Sequence, residues 1–193
     1  YNIVGGYKDA IQAADKMLEI DKTNDFALKN KMFANEKLDN HEEVLKCCEE
    51  ILKKNQDEVD VLVGKGIALN KTGRHDEAIF VYKKILSMDA KNVDSLMNLA
   101  ITYNYLQKYN DAITYYDLVQ DITQKFSNIP FDKSKAFEAL GKTDDAFLAI
   151  QGIRLQEAES IKTDAKLKNY SVQHAFELRR FYQLSKVKNN DSD

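Results

Sequence analysis

The stretch Val59–Asn92 reads VDVLVGKGIALNKTGRHDEAIFVYKKILSMDAKN, and it is the unit from which the rest of the chain is built. Apolar and small residues recur along its first half at the spacing of one helix stripe: Leu62, Gly66, Leu69 and Thr72. A second stripe of the same kind runs along its second half: Ala78, Tyr82, Ile85 and Leu86. The two stripes predict two helices that face each other across a turn at Thr72–Arg74.

The loop of this unit recurs along the chain at a constant spacing of 34 residues. Gly73–Ile79 (GRHDEAI) is matched, without insertion, at Gly5–Ile11 (GGYKDAI), Asp39–Leu45 (DNHEEVL), Gln107–Ile113 (QKYNDAI) and Gly141–Phe147 (GKTDDAF). This period is typical of helix–turn–helix arrays, in which one unit cannot bury its own apolar face and neighbouring units must stack. On these motifs the chain resembles the tetratricopeptide repeat family.

The resemblance implies an all-α fold, a right-handed α-solenoid of antiparallel helix pairs with a C-terminal capping helix. In its register, residues 1–24 are a partial repeat that holds only the second helix. Four repeats follow, at residues 25–58, 59–92, 93–126 and 127–160. The capping region is residues 161–188, and residues 189–193 are expected to be a disordered tail. Because the chain opens within a repeat and without a methionine, we expect a fragment of a longer parent protein.

Small and large apolar residues alternate at fixed places in the predicted core. Small residues recur where the helices approach closely: Ala10, Val44, Ala78, Ala112 and Ala146 in the second helices, and Ala34, Ala68, Thr102 and Ala136 in the first. Large residues recur where the gap is wider: Met17, Ile51, Ile85, Val119 and Ile153. Such alternation fills a helical core without voids.

A few places depart from the family pattern. A large apolar residue is usual where Lys31, Lys65 and Lys133 stand, which predicts lysine stems lying over a partly open surface. Pro130 falls in the first turn of a predicted helix, where proline is tolerated, and Thr123–Asn128 before it is expected to be loop or a frayed end. Because Arg154–Lys168 has no Gly or Pro, we expect the last repeat helix to continue through it, ahead of a final helix at Tyr170–Val187.

Composition bounds the function. The 193 residues carry a net charge of −3, which argues against nucleic-acid binding, and no run of apolar residues is long enough to span a membrane. Charge is uneven, since Ile161–Lys188 carries seven basic residues against two acids. The adjacent cysteines Cys47 and Cys48 are poorly placed to bond each other, and a reducing, cytoplasmic setting fits them. Cys48 occupies a core position, whereas Cys47 is less constrained and could be exposed.

No arrangement of residues predicts catalysis. His41 and His75 occupy the same place in successive units as Tyr7 and Tyr109, which suggests that they fill a packing position beside the turn. The Cys, His and Asp residues do not show metal-ligand spacing. We therefore predict a protein that is not an enzyme, with no catalytic residue, cofactor or metal.

In the family, the first helices of successive repeats line a concave groove that holds a peptide or a partner's helix. Carried over by register, the predicted groove residues are Lys29, Asn30, Phe33, Val63, Ile67, Asn70, Lys71, Met97, Asn98, Ile101, Asn104, Tyr105 and Phe131. Its apolar members lie outside the stripes that pack within repeats, and its asparagines could bond a bound main chain. Packing between repeats is the competing interpretation. Of the lysine, asparagine and arginine clamp that grips a peptide carboxylate in chaperone-binding members, only Lys29 is present.

These observations predict a scaffold that binds a protein or peptide in the groove. A homo-oligomer or a groove covered by the chain's own C-terminal helix is the main alternative. The basic charge of Ile161–Lys188 leaves a third, lesser hypothesis, an adaptor for an acidic partner or nucleic acid.

Overall fold

The structure is a computed structural model that describes residues 3–123 and 128–190, with side chains for residues 5–123 and 128–183. This part of the chain forms eleven α-helices and no β-strand. It divides into two compact units, Tyr1–Leu106 and Gln107–Asp193. The predicted all-α solenoid of antiparallel helix pairs is confirmed.

Both units are built from helices that pack against their neighbours along the chain. The first unit contains α1 (Ile3–Ile20), α2 (Asp25–Lys37), α3 (His41–Leu52), α4 (Val59–Lys71), α5 (His75–Met88) and α6 (Val93–Tyr105). The second contains α7 (Tyr109–Ile122), α8 (Ile129–Ala139), α9 (Thr143–Ile150), α10 (Leu155–Lys168) and α11 (Val172–Asn190). In the first unit α4 also contacts α6, so two consecutive first helices of the array lie side by side.

A residue in the left-handed conformation closes each repeated hairpin. These residues are Asp39 (φ 56°), Gly73 (φ 78°), Gln107 (φ 57°) and Gly141 (φ 70°). At Gly73 the amide N–H donates to the Asn70 carbonyl at 3.1 Å, and the next N–H donates to the Leu69 carbonyl at 2.8 Å. The same pair of bonds forms after α2 and after α8. These bonds satisfy the last carbonyls of the helix, and glycine is preferred because it has no Cβ to clash.

Most of the residues predicted at close approaches between helices are buried, and Ala10 is an exception because it is only half-buried. Val44, Ala78, Ala112 and Ala146 from the second helices are at most 4% exposed, and Ala34, Ala68, Thr102 and Ala136 from the first are at most 1% exposed. Of the larger residues, Ile51, Ile85 and Val119 are fully buried. Met17 and Ile153 depart from the pattern, since Met17 has 37% of its surface exposed and Ile153 is only half-buried.

Gly66 of α4 sits against the ring of Tyr82 in α5. A Cβ at Gly66 would lie 2.5 Å from Cε1 of Tyr82, whose side chain is fully buried. In the preceding repeat the sizes are reversed, and the sulfur atoms of Met32 and Cys48 meet at 3.5 Å. These two helix pairs therefore divide the volume at the same contact in different ways.

Lysines that stand where the family usually has a large apolar residue were predicted to lie over a partly open surface. This prediction is wrong for Lys133. It is only 1% exposed, and its amine donates to the Asp117 carboxylate and, at 2.8 Å, to the side-chain oxygen of Gln120. Lys31 is half-buried and bonds Asp15 at 2.7 Å. Each lysine reaches a carboxylate on the preceding second helix, 16 residues earlier. An ion pair thus replaces the apolar contact that is usual at this position.

The match of the loop motif at Gly5–Ile11 predicts a turn after Gly5 and Gly6, and this prediction is wrong. One helix, α1, runs from Ile3 to Ile20 through Gly5 and Gly6, and neither glycine has a positive φ. Glycine permits a left-handed turn but does not require one, so the match of the GGYKDAI motif could not decide the conformation.

The prediction that the last repeat helix continues through Arg154–Lys168 is also wrong. Gly152 adopts a φ of 76° and ends α9, which is only eight residues long. Its N–H and that of Ile153 make the same two bonds as the hairpin turns, to the carbonyls of Ala149 and Leu148. Gly152 lies two residues before Arg154–Lys168, the segment that lacks Gly and Pro.

A helix hairpin ends the described chain in place of a single capping helix. The left-handed residue Asn169 (φ 55°) joins α10 to α11. A cluster of buried residues holds the hairpin to α9: Leu148, Ala158, Ile161, Ala165 and Ala175. Because α11 extends through Asn190, the first two residues of the predicted tail are helical, and residues 191–193 lie outside the description.

The connection before α8 was predicted as loop or a frayed end. Thr123 is extended and Asn128 precedes α8, while residues 124–127 lie outside the described chain. Pro130 is in the first turn of α8, as predicted. The repeat boundaries themselves stay predictions.

We predict opposite effects for alanine at the two glycines of α4. Gly66→Ala should lower the free energy of unfolding by about 1–3 kcal/mol, because its Cβ would overlap the buried ring of Tyr82. Gly64→Ala is the matched control, since its Cβ would meet Met32 at an ordinary 3.8 Å. That change should be neutral or stabilise by up to about 1 kcal/mol through helix propensity. Urea unfolding followed by circular dichroism measures both, and equal effects would contradict the packing.

We also predict that Lys133→Leu destabilises the chain by about 1–3 kcal/mol, because it leaves the carboxylate of Asp117 without its partner. Adding Asp117→Leu should recover much of that loss, because an apolar pair can replace an ion pair. Lys31→Leu is the control and should cost less, because the Asp15 side chain is 47% exposed and keeps its water. A double variant no better than Lys133→Leu in urea unfolding would count against the pair.

Candidate functional site

The predicted groove residues of the first unit lie along α2, α4 and α6. Phe33 is 50% exposed and Tyr105 67% exposed, while Val63, Ile67 and Ile101 are half-buried. Met97 differs, because only 7% of its surface is exposed and it contributes mainly to packing. An apolar surface therefore remains open on these first helices, although it is smaller than the sequence predicted.

Lys29 is held by carboxylates of its own chain. Its amine lies 2.5 Å from a Glu58 oxygen and 2.9 Å from an Asp25 oxygen. Hydrogen bonding to Glu58 first, and then to Asp25, raises the pKa of the Lys29 amine above its usual range. Two carboxylates thus already occupy the one residue that matched the carboxylate clamp.

The predicted groove asparagines make hydrogen bonds within the protein. Asn30 and Asn98 each donate one amide N–H to a carbonyl four residues earlier, Phe26 and Asp94 respectively, at 2.9 Å. The side chain of each asparagine keeps a second amide N–H and its carbonyl oxygen for a further hydrogen bond. Asn70 instead bridges to α6, donating from Nδ2 to the hydroxyl of Thr102 at 2.6 Å.

A cavity of about 540 Å³ opens between α4 and α6. Its lining residues are Ile67, Asn70, Lys71, Gly73, His75, Asn98, Ile101 and Tyr105. Six of these eight were predicted from the repeat register. The structure thus brings together groove residues from two consecutive first helices, with aliphatic walls and a polar end.

His75 is the functional candidate that sequence reasoning missed. Its ring stacks on Tyr105, with centroids 5.8 Å apart and an angle of 13° between planes. Its Nδ1 lies 3.1 Å from Oδ1 of Asn70. Sequence analysis assigned His75 to a packing position beside the turn. The sequence signal that could have revealed a functional role is that this position adjoins the end of the first helix.

Phe131, the last predicted groove residue, belongs to the second unit. It is 53% exposed, and the amine of Lys135 lies 5.5 Å from its ring centroid. A cavity of about 400 Å³ adjoins it, lined also by Ser134, Phe147 and Ile150.

A second exposed apolar surface lies on α11. Phe181 is 74% exposed and Tyr182 is 61% exposed, beside a cavity of about 500 Å³ that Leu178 and Arg179 also line. Phe176 of the same helix packs inward, with its ring 5.6 Å from that of Phe147. The hairpin thus covers α9 and leaves its own outer face open.

Both cysteines are buried, so the expectation that Cys47 could be exposed is wrong. Cys47 is 3% exposed and Cys48 is fully covered, and neither forms a disulfide. Burial raises the pKa of Cys47 to about 11 and that of Cys48 to about 12. Thiols of this kind hold almost no thiolate at neutral pH and are poor nucleophiles.

Metal-binding groups and membrane-spanning helices also bear on function. Within residues 3–123 and 128–190, no group of three or more His, Cys, Asp or Glu side chains could hold a metal ion. Over the same ranges, no helix is long and apolar enough to cross a membrane.

Comparisons with known proteins point to one class. A family model described as "Psidin, N-terminal TPR repeats region" matches residues 4–111 and 35–151. A crystal structure of MamA protein aligns with 85% of this chain and 86% of its own, at 18% identity and a TM-score of 0.70. A tetratricopeptide repeat protein from Parabacteroides merdae ATCC 43184 aligns with 77% of this chain and 58% of its own, at 18% identity and a TM-score of 0.66. At these identities the structural likeness shows the fold alone. No curated protein sequence matches the chain.

Proposed function

This chain belongs to the family described as the N-terminal TPR repeats region of Psidin, and we propose that it holds a peptide or a helix of a partner protein on the first-helix face of Tyr1–Leu106. Its general class is a protein-interaction scaffold, and proteins of this fold are generally non-catalytic. The proposal concerns where on the array the partner binds. A cytoplasmic setting is proposed with it, supported by two cysteines that are not paired.

The α4–α6 cavity is the observation that carries this proposal. Ile67 and Ile101 supply aliphatic walls, and the exposed ring of Tyr105 lies beside them. Concave apolar surfaces with a few convergent polar groups are the usual form of a binding site, and exposed apolar patches mark sites of protein contact. Lys71 and Asn98 supply polar groups at the same cavity.

Apolar contact, rather than recognition of a carboxylate, is the proposed source of affinity. The carboxylates of Asp25 and Glu58 neutralise Lys29, so an incoming carboxylate would have to displace them. Such exposed ion pairs contribute little to affinity, because water screens them. Burial of one aliphatic side chain contributes about 1.5–3 kcal/mol, which is larger.

The test uses peptides selected from a displayed random library against the full chain. Ile67→Asp and Ile101→Asp should each weaken the best peptide at least about tenfold, since each removes apolar contact and adds a charge. Lys29→Ala should change affinity by less than about threefold. Fluorescence polarisation measures the binding, and circular dichroism confirms that each variant is folded.

Phe80→Asp is the matched control, because Phe80 is an exposed apolar residue on the second helix α5. It should leave peptide affinity unchanged. The contrary result would be a sharp loss of peptide affinity with Lys29→Ala, or on amidation of the peptide's C-terminus, together with no effect of the two isoleucine substitutions. That result would reverse the proposal and identify an anion clamp.

Self-association is a second candidate, favoured by the open face of α11. Phe181 and Tyr182 are exposed within the segment Ile161–Lys188, which is basic while the chain as a whole is acidic. A second copy offers both apolar and acidic surface to such a face. Contacts of this head-to-tail kind produce open chains as well as closed rings.

We expect the mass measured by light scattering to rise with concentration if α11 mediates self-association. Replacing Phe181 and Tyr182 by serine should return the mass to that of a monomer. Phe80→Ser is the control, because Phe80 and Phe181 are equally exposed at 74%. A monomer mass from micromolar to millimolar concentration would exclude this candidate and leave the first-helix face as the proposed contact.

A further inference from the structure

A chain of hydrogen bonds runs from the backbone of α6 to the ring of His75. It begins at the Asn98 carbonyl, which can only accept, and the Thr102 hydroxyl donates to it at 2.6 Å. Thr102 is fully buried, so its single proton is committed to this bond. The Thr102 oxygen must therefore accept from the next group, which is Nδ2 of Asn70 at 2.6 Å.

The direction of this chain fixes the tautomer of His75. Because Nδ2 of Asn70 faces Thr102, its carbonyl oxygen Oδ1 faces Nδ1 of His75 at 3.1 Å. Two acceptors cannot bond each other, so Nδ1 carries the proton. A neutral imidazole has only one N–H, and the other nitrogen, Nε2, is therefore an acceptor.

The His75 ring is held in place at the cavity. The bond to Asn70 fixes one edge of the ring, and the stacked ring of Tyr105 fixes one face. Within the described side chains, no hydrogen bond to Nε2 is formed. A fixed group loses little freedom when it binds, which makes it effective in recognition.

We propose that Nε2 of His75 is a specificity-determining acceptor, which takes a hydrogen bond from a main-chain N–H of a bound peptide. The peptide places an apolar side chain against Ile67 and Ile101. The inference rests on the proposed function, and it names what that site selects: a neutral donor beside an apolar group.

The surroundings of the ring decide the kind of donor. Lys71 lines the same cavity, and its positive charge disfavours the cationic donors of lysine and arginine side chains. A carboxylate would face the lone pair of Nε2, which disfavours acidic side chains at this atom. The remaining donors are neutral, and the peptide main chain supplies one at every residue except proline.

Two substitutions of His75 separate its nitrogens. Glutamine places an amide near the position of Nε2, whereas asparagine places one near the position of Nδ1. For a library peptide that requires Ile67 and Ile101, His75→Asn should weaken binding about tenfold and His75→Gln less than about threefold.

N-methylation along the same peptide identifies the donor. Methylation of one main-chain nitrogen should weaken binding to wild-type protein about tenfold and cause no further loss with His75→Asn, as coupling between partners requires. If the coupled group is instead a side chain of the peptide, the main-chain assignment is wrong.

Long-range proton–nitrogen NMR of the full chain tests the tautomer without a ligand. The expected result is a proton on Nδ1 of His75, and a proton on Nε2 would overturn the inference. Equal affinity of wild type and His75→Asn would overturn it too. Peptides that bind without requiring Ile67 or Ile101 would contradict the proposed function instead, so the two failures can be told apart.

Discussion

The contact between facing positions of each helix pair is the constraint on which the rest of the array depends. One position is small when the other is large, as with Gly66 and Tyr82, and the preceding repeat reverses the sizes with Met32 and Cys48. Protein interiors are close-packed, so the distance between the two helices stays constant only if the summed volume does. That distance sets where the next repeat can pack.

The fourth predicted repeat has less side-chain volume at this contact, because an isoleucine stands where Val59–Asn92 has the larger Tyr82. Its facing positions hold Ser134 and Ile150, and both line the same cavity of about 400 Å³. Ile150 remains 43% exposed, whereas Tyr82 at the same place in an earlier repeat is fully covered. The second helix ends at this residue, and the hairpin of α10 and α11 packs on Leu148 instead. A local deficit in volume thus coincides with a change in how the array ends.

The candidate site uses the same repeated framework with one chemical change. Thr102 occupies the small buried position that Ala34, Ala68 and Ala136 hold in other repeats. Its hydroxyl lets α6 bond Asn70 of α4, and that bond orients the ring of His75. A position that elsewhere serves only packing therefore connects two first helices and fixes a group at the cavity between them. This is how a repeat array gains a local site without altering its backbone.

The sequence alone determined the helix pairs, because a 34-residue period and the stripe around Leu62 and Tyr82 leave few other ways to bury apolar surface. It also identified six of the eight residues at the α4–α6 cavity. Whether Gly5 bends the chain, whether Lys133 is buried and which way His75 is protonated were decided only by the tertiary structure. Each of these depends on a partner distant in sequence or on a residue that permits several conformations. Lys133 is buried because Asp117 neutralises it. His75 is oriented because the Thr102 hydroxyl has a single proton to donate. Periodicity specifies which residues face inward, and only the folded chain specifies what each of them meets there.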